Sequence, residues 1–213
     1  MTLAVFDFDG TMIRGDSIVS YLWFARKKGL LSLPCLVRAG LFGALSQAGI
    51  VSRQRAKSAA LSFRKGLSEA QKTALDQAFA KTLLKRIRPE ALSAMKDHRR
   101  RGDLVVLLSA STDHYMRYVA QGLPVDRLIC STTDESGRVL RNVRGEEKVM
   151  ALRELLRELP EETDLFLSTG YGDSASDLPL LRLLGRPYLV NPGRKARRKA
   201  AGQIPILSWK EIS

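Results

Sequence analysis

The sequence predicts an α/β fold: a three-layer, Rossmann-like, mostly parallel sheet with an inserted all-helical cap. Two observations carry this. Three apolar runs end in polar residues: LAVFDF at 3–8, DLVVLLSAS at 103–111 and DLFLSTGYGDS at 164–174. Such runs suit strands buried on both faces, and helical stretches separate the later ones, as in a sheet covered on both sides. Residues 16–95 instead read almost entirely as helix. The expected division is a catalytic core of 1–15 and 96–213, with 16–95 as the helical insert.

In chain order, SIVSYLWFARKKG at 17–29 has apolar residues at helical spacing and a glycine stop. LSEAQKTALDQAFAKTLLKRI at 67–87 is a second long helix, with Ser68 and Gln71 spaced as a capping box. Pro89 opens a helix that ends on Gly102. A helix at 113–121 and a short strand, LIC at 128–130, follow the second apolar run. DESGRVLRN at 134–142 reads as a turn or small hairpin bent at Gly137. A helix over 145–159 stops at Pro160. After the third run come a helix over 177–184 and a last strand, PYLVN at 187–191.

A chain of 213 residues with 45% hydrophobic content builds a core without covalent staples. Cys35 and Cys130 sit in apolar surroundings and are expected to be buried thiols. No basic segment precedes an apolar leader, because Asp7 interrupts the first run; the expected compartment is the cytoplasm. The net charge of +13 favours anionic partners without choosing among phosphorylated metabolites, anionic lipid and nucleic acid. No interleaved basic and aromatic pattern marks a nucleic-acid surface. Tyr21, Trp23 and Phe24 are expected to pack within the insert. Neither His98 nor His114 has the setting of a metal ligand, and Ser111 reads as structural or as a helix cap.

Ligands of open α/β sheets bind beyond the carboxyl ends of the strands, where all three polar tips lie. Asp7 and Asp9, two apart, aim near a common site there. Partly buried carboxylates are costly unless compensated, and hard oxygen ligands suit Mg2+. GDSASD at 172–177 offers further carboxylates in Asp173 and Asp177, with Gly170 and Gly172 allowing close backbone approach. Lys148 adds a positive charge at a helix start. Ser109 supplies a hydroxyl, and backbone amides near it suit phosphate oxygens. Together these form a cradle for a phosphoryl group, whose transfer is mostly positioning and charge stabilisation. A carboxylate serves such chemistry as nucleophile, and a second carboxyl as acid and base.

DFDGT, LLSAS, a lysine and GDSASD, in that order, resemble the four motifs of the haloacid dehalogenase-like phosphatases. The continuation resembles the subclass with a helical cap that includes phosphoserine phosphatase. The resemblance implies Asp7 as nucleophile and Asp9 as general acid/base, giving its backbone carbonyl to Mg2+. It implies phosphate-site roles for Thr11, Ser109 and Lys148, with Thr11 assisting the first loop. It implies Asp173 as a metal ligand and Asp177 as support for the metal shell.

Substrate choice is then expected in the insert. Phosphoserine phosphatases carry a glutamate where it begins; this chain has the shorter Asp16. Arg53 and Arg55 are both candidates for the partnering arginine. The second motif reads SAS rather than SGG, and the hairpin before the lysine is short, which weakens a phosphoserine reading. A small phosphorylated metabolite is the expected substrate. The apolar stretch at 29–52 also resembles phosphatidylglycerophosphate phosphatases, so a lipid phosphate at an anionic membrane surface is the alternative. A further alternative is a non-catalytic, basic nucleic-acid-binding protein.

Overall fold

The computed structural model describes residues 1–210; residues 211–213, the end of the expected core, lie outside the described residues. β1 (Leu3–Phe6) lies at the centre of a seven-stranded sheet. Next to it on one side are β2 (Leu104–Thr112), β3 (Arg127–Thr133) and β4 (Val139–Arg141). On the other side are β5 (Thr169–Gly172), β6 (Arg186–Val190) and β7 (Ile206–Leu207). All pairings are parallel except β3 with β4. The β3–β4 hairpin turns at Gly137, whose φ of +81° suits glycine.

Strand alternation creates the layers. Leu3 and Val5 point to a core built with Val106, Leu108, Leu152 and Leu155. Ala4 and Phe6 point to the opposite core, with Val105, Leu107 and Met95. β1 is therefore apolar at every position because both of its faces are covered. Covering one face is α7 (Glu146–Glu158). On the other lie α5 (Pro89–Arg100) and α6 (Asp113–Gln121). α8 (Leu178–Leu181) and α9 (Arg194–Ala200) complete the C-terminal half.

The stretch after β1 folds as α1 (Ser17–Lys27), α2 (Leu33–Gln47), α3 (Arg53–Leu61), a 3-10 turn (Ser62–Gly66) and α4 (Glu69–Leu84). Asp16, Ser52 and Ser68 cap α1, α3 and α4, and Ser68 and Gln71 form the expected box. α5 continues through residue 95, where the sequence placed the end of the insert, and packs along β2. α3 is tied to the hairpin: Gln54 donates to the Val139 carbonyl and Ser58 Oγ accepts from Val139 N. Tyr21 of α1 and Phe79 of α4 pack on Tyr115 of α6.

Some expectations shift. The third run forms a strand only over Thr169–Gly172. Before it, the Asp164 carboxylate accepts from Leu167 N and its carbonyl from Ser168 Oγ, a local turn that competes with strand pairing. Phe166 is consequently exposed. The helix expected over 177–184 is only Leu178–Leu181. Trp23 is exposed rather than packed, whereas Tyr21 is fully buried. Both cysteines are half-buried rather than buried; burial still pushes the Cys130 thiol up to about 12. His98 is structural, sharing hydrogen bonds with Asp103 and Tyr171.

A buried ion pair fastens the helices after β1 to one another. Arg64, in the 3-10 turn, donates to both Asp76 oxygens, at 2.8 and 3.0 Å. Tyr21 OH donates to Asp76 Oδ1 at 2.5 Å. Removing one member of a buried pair leaves an uncompensated charge, whereas replacing both by apolar groups does not. Asp76→Ala is expected to cost about 3–5 kcal/mol in urea unfolding, and Arg64→Met/Asp76→Leu to recover most of that loss. Equal losses in the single and double variants contradict this account.

Candidate active site

β1 delivers Asp7 to the carboxyl edge of the sheet, where Asp7 N donates to the Tyr171 carbonyl of β5 at 2.9 Å. The Asp7 carboxylate is buried. It accepts from Lys148 Nζ at 2.5 Å and from Thr11 Oγ1 at 2.9 Å. Lys148, in the first turn of α7, is fully buried and also donates to Asp177 Oδ1 at 2.7 Å. Asp177 accepts in addition from Ser174 N and Oγ. One cation thus holds two carboxylates from opposite ends of the chain.

The electrostatics follow. Burial opposes the charge on Lys148, but Asp177 and Asp7 outweigh it and hold the ammonium above the usual lysine range. Burial alone would raise Asp177; Lys148 and Ser174 overcome it and keep that carboxyl low. Asp7 is pushed up to about 6 by burial against the pull of Lys148. Asp173, just beyond β5, rises to about 8 through burial and then the charges of Asp7 and Asp177.

One carboxylate oxygen each from Asp7, Asp173 and Asp177 lies within 4.8 Å of the others. Gly10, at φ +82°, crosses so close that a Cβ there would stand 2.2 Å from Asp173 Oδ2. Gly172 likewise leaves room for Asp177, while Gly170 makes room for Leu181 and Leu184 instead. Three hard oxygen donors, two of them raised in pKa by burial and then by neighbouring carboxylate charge, fit a divalent cation such as Mg2+.

Asp9 faces a separate network. Its Oδ1 accepts from Ser17 N, and its Oδ2 from Ser17 Oγ and, at 2.6 Å, from Ser111 Oγ. Ser17 Oγ also shares a hydrogen bond with Tyr115 OH. Burial, and after it the Asp16 charge, pushes Asp9 up to about 7. Ser111 therefore holds Asp9 and does not cap α6.

A cavity of about 430 Å³ opens above these groups, lined by Asp7, Asp9, Ser109, Lys148, Asp173 and Asp177 among others. Ser109 Oγ accepts from Ser111 N. Thr11 does not line the cavity; it stands behind Asp7. Asp16 lines it, but its Oδ1 caps α1 through Ile18 N and Val19 N. Arg53 lies in an adjoining groove, and Arg55 is exposed and lines neither. His114 is buried against Thr133 and does not reach the cavity.

Sequence reasoning missed Lys57, Arg144, Ser17 and Tyr115. Lys57 of α3 lines the cavity and donates to the Ala110 carbonyl and Asn142 Oδ1. Burial lowers its pKa to about 8. Its only sequence signal was being one of several cations on α3, and the seating of that helix selects it.

A family model described as haloacid dehalogenase-like hydrolase matches residues 4–182. The protein CicA of Caulobacter vibrioides is 34% identical over 91% of this chain and 88% of its own length. A histidinol-phosphatase of Neisseria meningitidis serogroup C is 27% identical over 98% of this chain and 99% of its own. Among solved structures, a probable phosphoserine phosphatase from Vibrio cholerae superposes with a TM-score of 0.75 at 18% identity, over 99% of this chain and 61% of that one. That likeness is one of fold, a mostly parallel sheet with flanking helices. With the family model spanning most of the chain, this protein belongs to the haloacid dehalogenase-like hydrolases.

Proposed function

We propose that this chain is a Mg2+-dependent phosphomonoesterase that acts through an aspartyl-phosphate on a small phosphorylated molecule. One observation carries the reading: the Asp7 carboxylate lines the cavity, bonded to Lys148 and clustered with Asp173 and Asp177, with Asp9 held in a separate network.

An Asp7 oxygen attacks phosphorus and the bond to the substrate's ester oxygen breaks. Asp9, whose raised pKa leaves much of it protonated near neutrality, gives its proton to that leaving oxygen. The resulting Asp9 carboxylate then takes a proton from the water that attacks phosphorus and frees Asp7. Thr11 and Lys148 hold the Asp7 carboxylate in place, and the Ser109 hydroxyl and Lys148 meet phosphoryl oxygens. Asp7, Asp173 and the Asp9 carbonyl would hold Mg2+, with Asp177 supporting; when bound it offsets the negative charge of the phosphoryl group. Residues 16–95 act as the substrate cap, with Asp16 and Lys57 at its face of the cavity.

A second reading, a lipid phosphate at an anionic membrane surface, has its own support. Among the described residues no helix is long and apolar enough to cross a membrane. α2 nevertheless turns Leu33, Val37 and Leu41, spaced by one helical turn, outward, and Ile50 just after it is exposed too. No Asp or Glu stands between Asp16 and Glu69, while Arg26, Lys27, Lys28, Arg38, Arg53 and Arg55 are all exposed there. An apolar stripe inside a purely cationic surround suits an anionic interface.

Asp7→Asn is expected to lower phosphate release from an aryl phosphate by at least about a thousandfold with the fold intact by circular dichroism. Retained turnover removes Asp7 as nucleophile. The raised pKa values of Asp7, Asp9 and Asp173 mean that the folded metal-free protein holds protons more tightly than the unfolded chain. Their contribution is full below the ordinary carboxylate pKa and is lost as pH rises through about 6 to 8. Mg2+ competes with those protons. Its gain in Tm is therefore expected to grow from pH 5.5 to pH 8, reaching about 5–10 °C at a hundredfold excess over Kd. A gain that is larger at pH 5.5 contradicts the assignment. For the lipid reading, Val37→Glu/Leu41→Glu is expected to abolish co-sedimentation with phosphatidylglycerol vesicles; no sedimentation of the unmodified chain ends it.

A further inference from the structure

We infer that the groove adjoining the candidate active site is a second anion site, so that the substrate is a phosphomonoester carrying a further anionic group. This deepens the phosphomonoesterase reading and rests on it for the meaning of the first site. The groove, a cavity of about 500 Å³, shares Arg144, Asp173, Ser174 and Ser176 with the catalytic cavity, so one ligand reaches both.

Four cations from three separate segments converge on it. Arg53 begins α3, Arg144 stands in the loop before α7, and Lys195 and Lys199 lie one helical turn apart on α9. Residues four apart on a helix share a face, so both lysines address the groove together. Among the described residues its sole acidic lining residue is Asp173, which belongs to the carboxylate cluster of the first site.

The gathering of these four charges in one concavity is what singles out the groove, and none of them is neutralised there as several other cations are. Arg64 is paired with Asp76, Lys72 with Glu69, Arg100 with Asp97, and Arg141 with both Glu147 and Glu154. Among the described residues, the side chains of Arg53, Arg144, Lys195 and Lys199 make no ion pair or hydrogen bond with the protein. Like charges gathered in a concavity repel one another, and an anion entering it relieves all of them at once. The same concavity focuses their field on an arriving ligand. Arginine favours planar, two-oxygen recognition, and lysine adds mobile charge, which together suit phosphate or carboxylate oxygens.

The geometry separates two tasks. The Asp7 cluster takes the phosphoryl group that is cleaved, whatever it is attached to. The groove reads the far end of the molecule and leaves that end unreacted, because its hydroxyls, Ser174 and Ser176, bond to each other and its carboxylate is the shared Asp173. Binding energy from that non-reacting end then helps to place the reacting phosphorus.

Calorimetry with propanediol bisphosphate and propyl phosphate, run on Asp7→Asn to prevent turnover, tests this directly. The bisphosphate is expected to bind at least about tenfold more tightly, with a steeper loss on adding salt. Lys195→Glu/Lys199→Glu is expected to erase that preference, and Lys195→Gln/Lys199→Gln to reduce it partway. With Asp7 intact, the ratio of kcat/KM for bisphosphate over monophosphate is expected to fall about 10- to 100-fold on charge reversal, through KM rather than kcat. Equal binding of the two ligands, or a preference that survives charge reversal, overturns the second site. Preferential binding without hydrolysis of either ligand upholds the groove and overturns the phosphomonoesterase reading instead.

Discussion

A single buried ammonium organises the functional end of this molecule. Lys148 lies between Asp7, at the tip of the first strand, and Asp177, near the start of a helix far along the chain. Without it, Asp7, Asp173 and Asp177 would be three carboxylates crowded into a largely dry place, and such a cluster is not tolerated uncompensated. With it, Asp177 stays ionised, while burial and then neighbouring carboxylate charge hold Asp7 and Asp173 above the usual carboxylate range. The position of β1 at the centre of the sheet is what makes this contact possible, because β2 and β5 then flank it on either side.

Asp9 shows how two aspartates two residues apart come to differ. Asp7 continues the strand direction and meets a cation. Asp9 lies in the turn and meets hydroxyls from α1, β2 and, through Ser17, α6. One carboxyl is thereby surrounded by charge and the other by neutral donors in a buried setting. In the proposed reaction, divergent surroundings of this kind separate the nucleophile from the acid and base. The same hydroxyls tie the start of α1 to the sheet, so the seating of the helices after β1 and the state of Asp9 are one structural fact. Lys57 adds a second tie, from α3 to the Ala110 carbonyl and to Asn142.

The surface divides by charge in a comparable way. Several core cations are paired with neighbouring carboxylates, as at Arg141. Those around the cavity mouth and along α1 to α3 are not, and there the chain also leaves apolar side chains of α2 outward. A phosphate-bearing ligand with further negative charge, free or in a membrane, is the chemistry this distribution favours.

Much of the fold was legible because its determinants are local. Apolar runs with polar tips marked β1 and β2 at the sheet centre, and Ser68 with Gln71 marked a helix start whose capping box forms as read. The third run misled because a turn at Asp164 satisfies the backbone before the strand begins. Residue types suited to phosphoryl chemistry, Asp7, Asp9, Ser109, Lys148, Asp173 and Asp177, were named from their order, and they share one cavity. The sequence alone determined which elements exist and which side chains stand at their polar ends, since periodicity and capping act over a few residues. Only the tertiary structure decided that Thr11 stands behind Asp7, that Ser111 serves Asp9, that Lys57 rather than Arg55 meets the cavity, and that Trp23 faces solvent. Those outcomes depend on how helices seat on the sheet, and that seating is set by contacts between segments tens of residues apart, which no local pattern encodes.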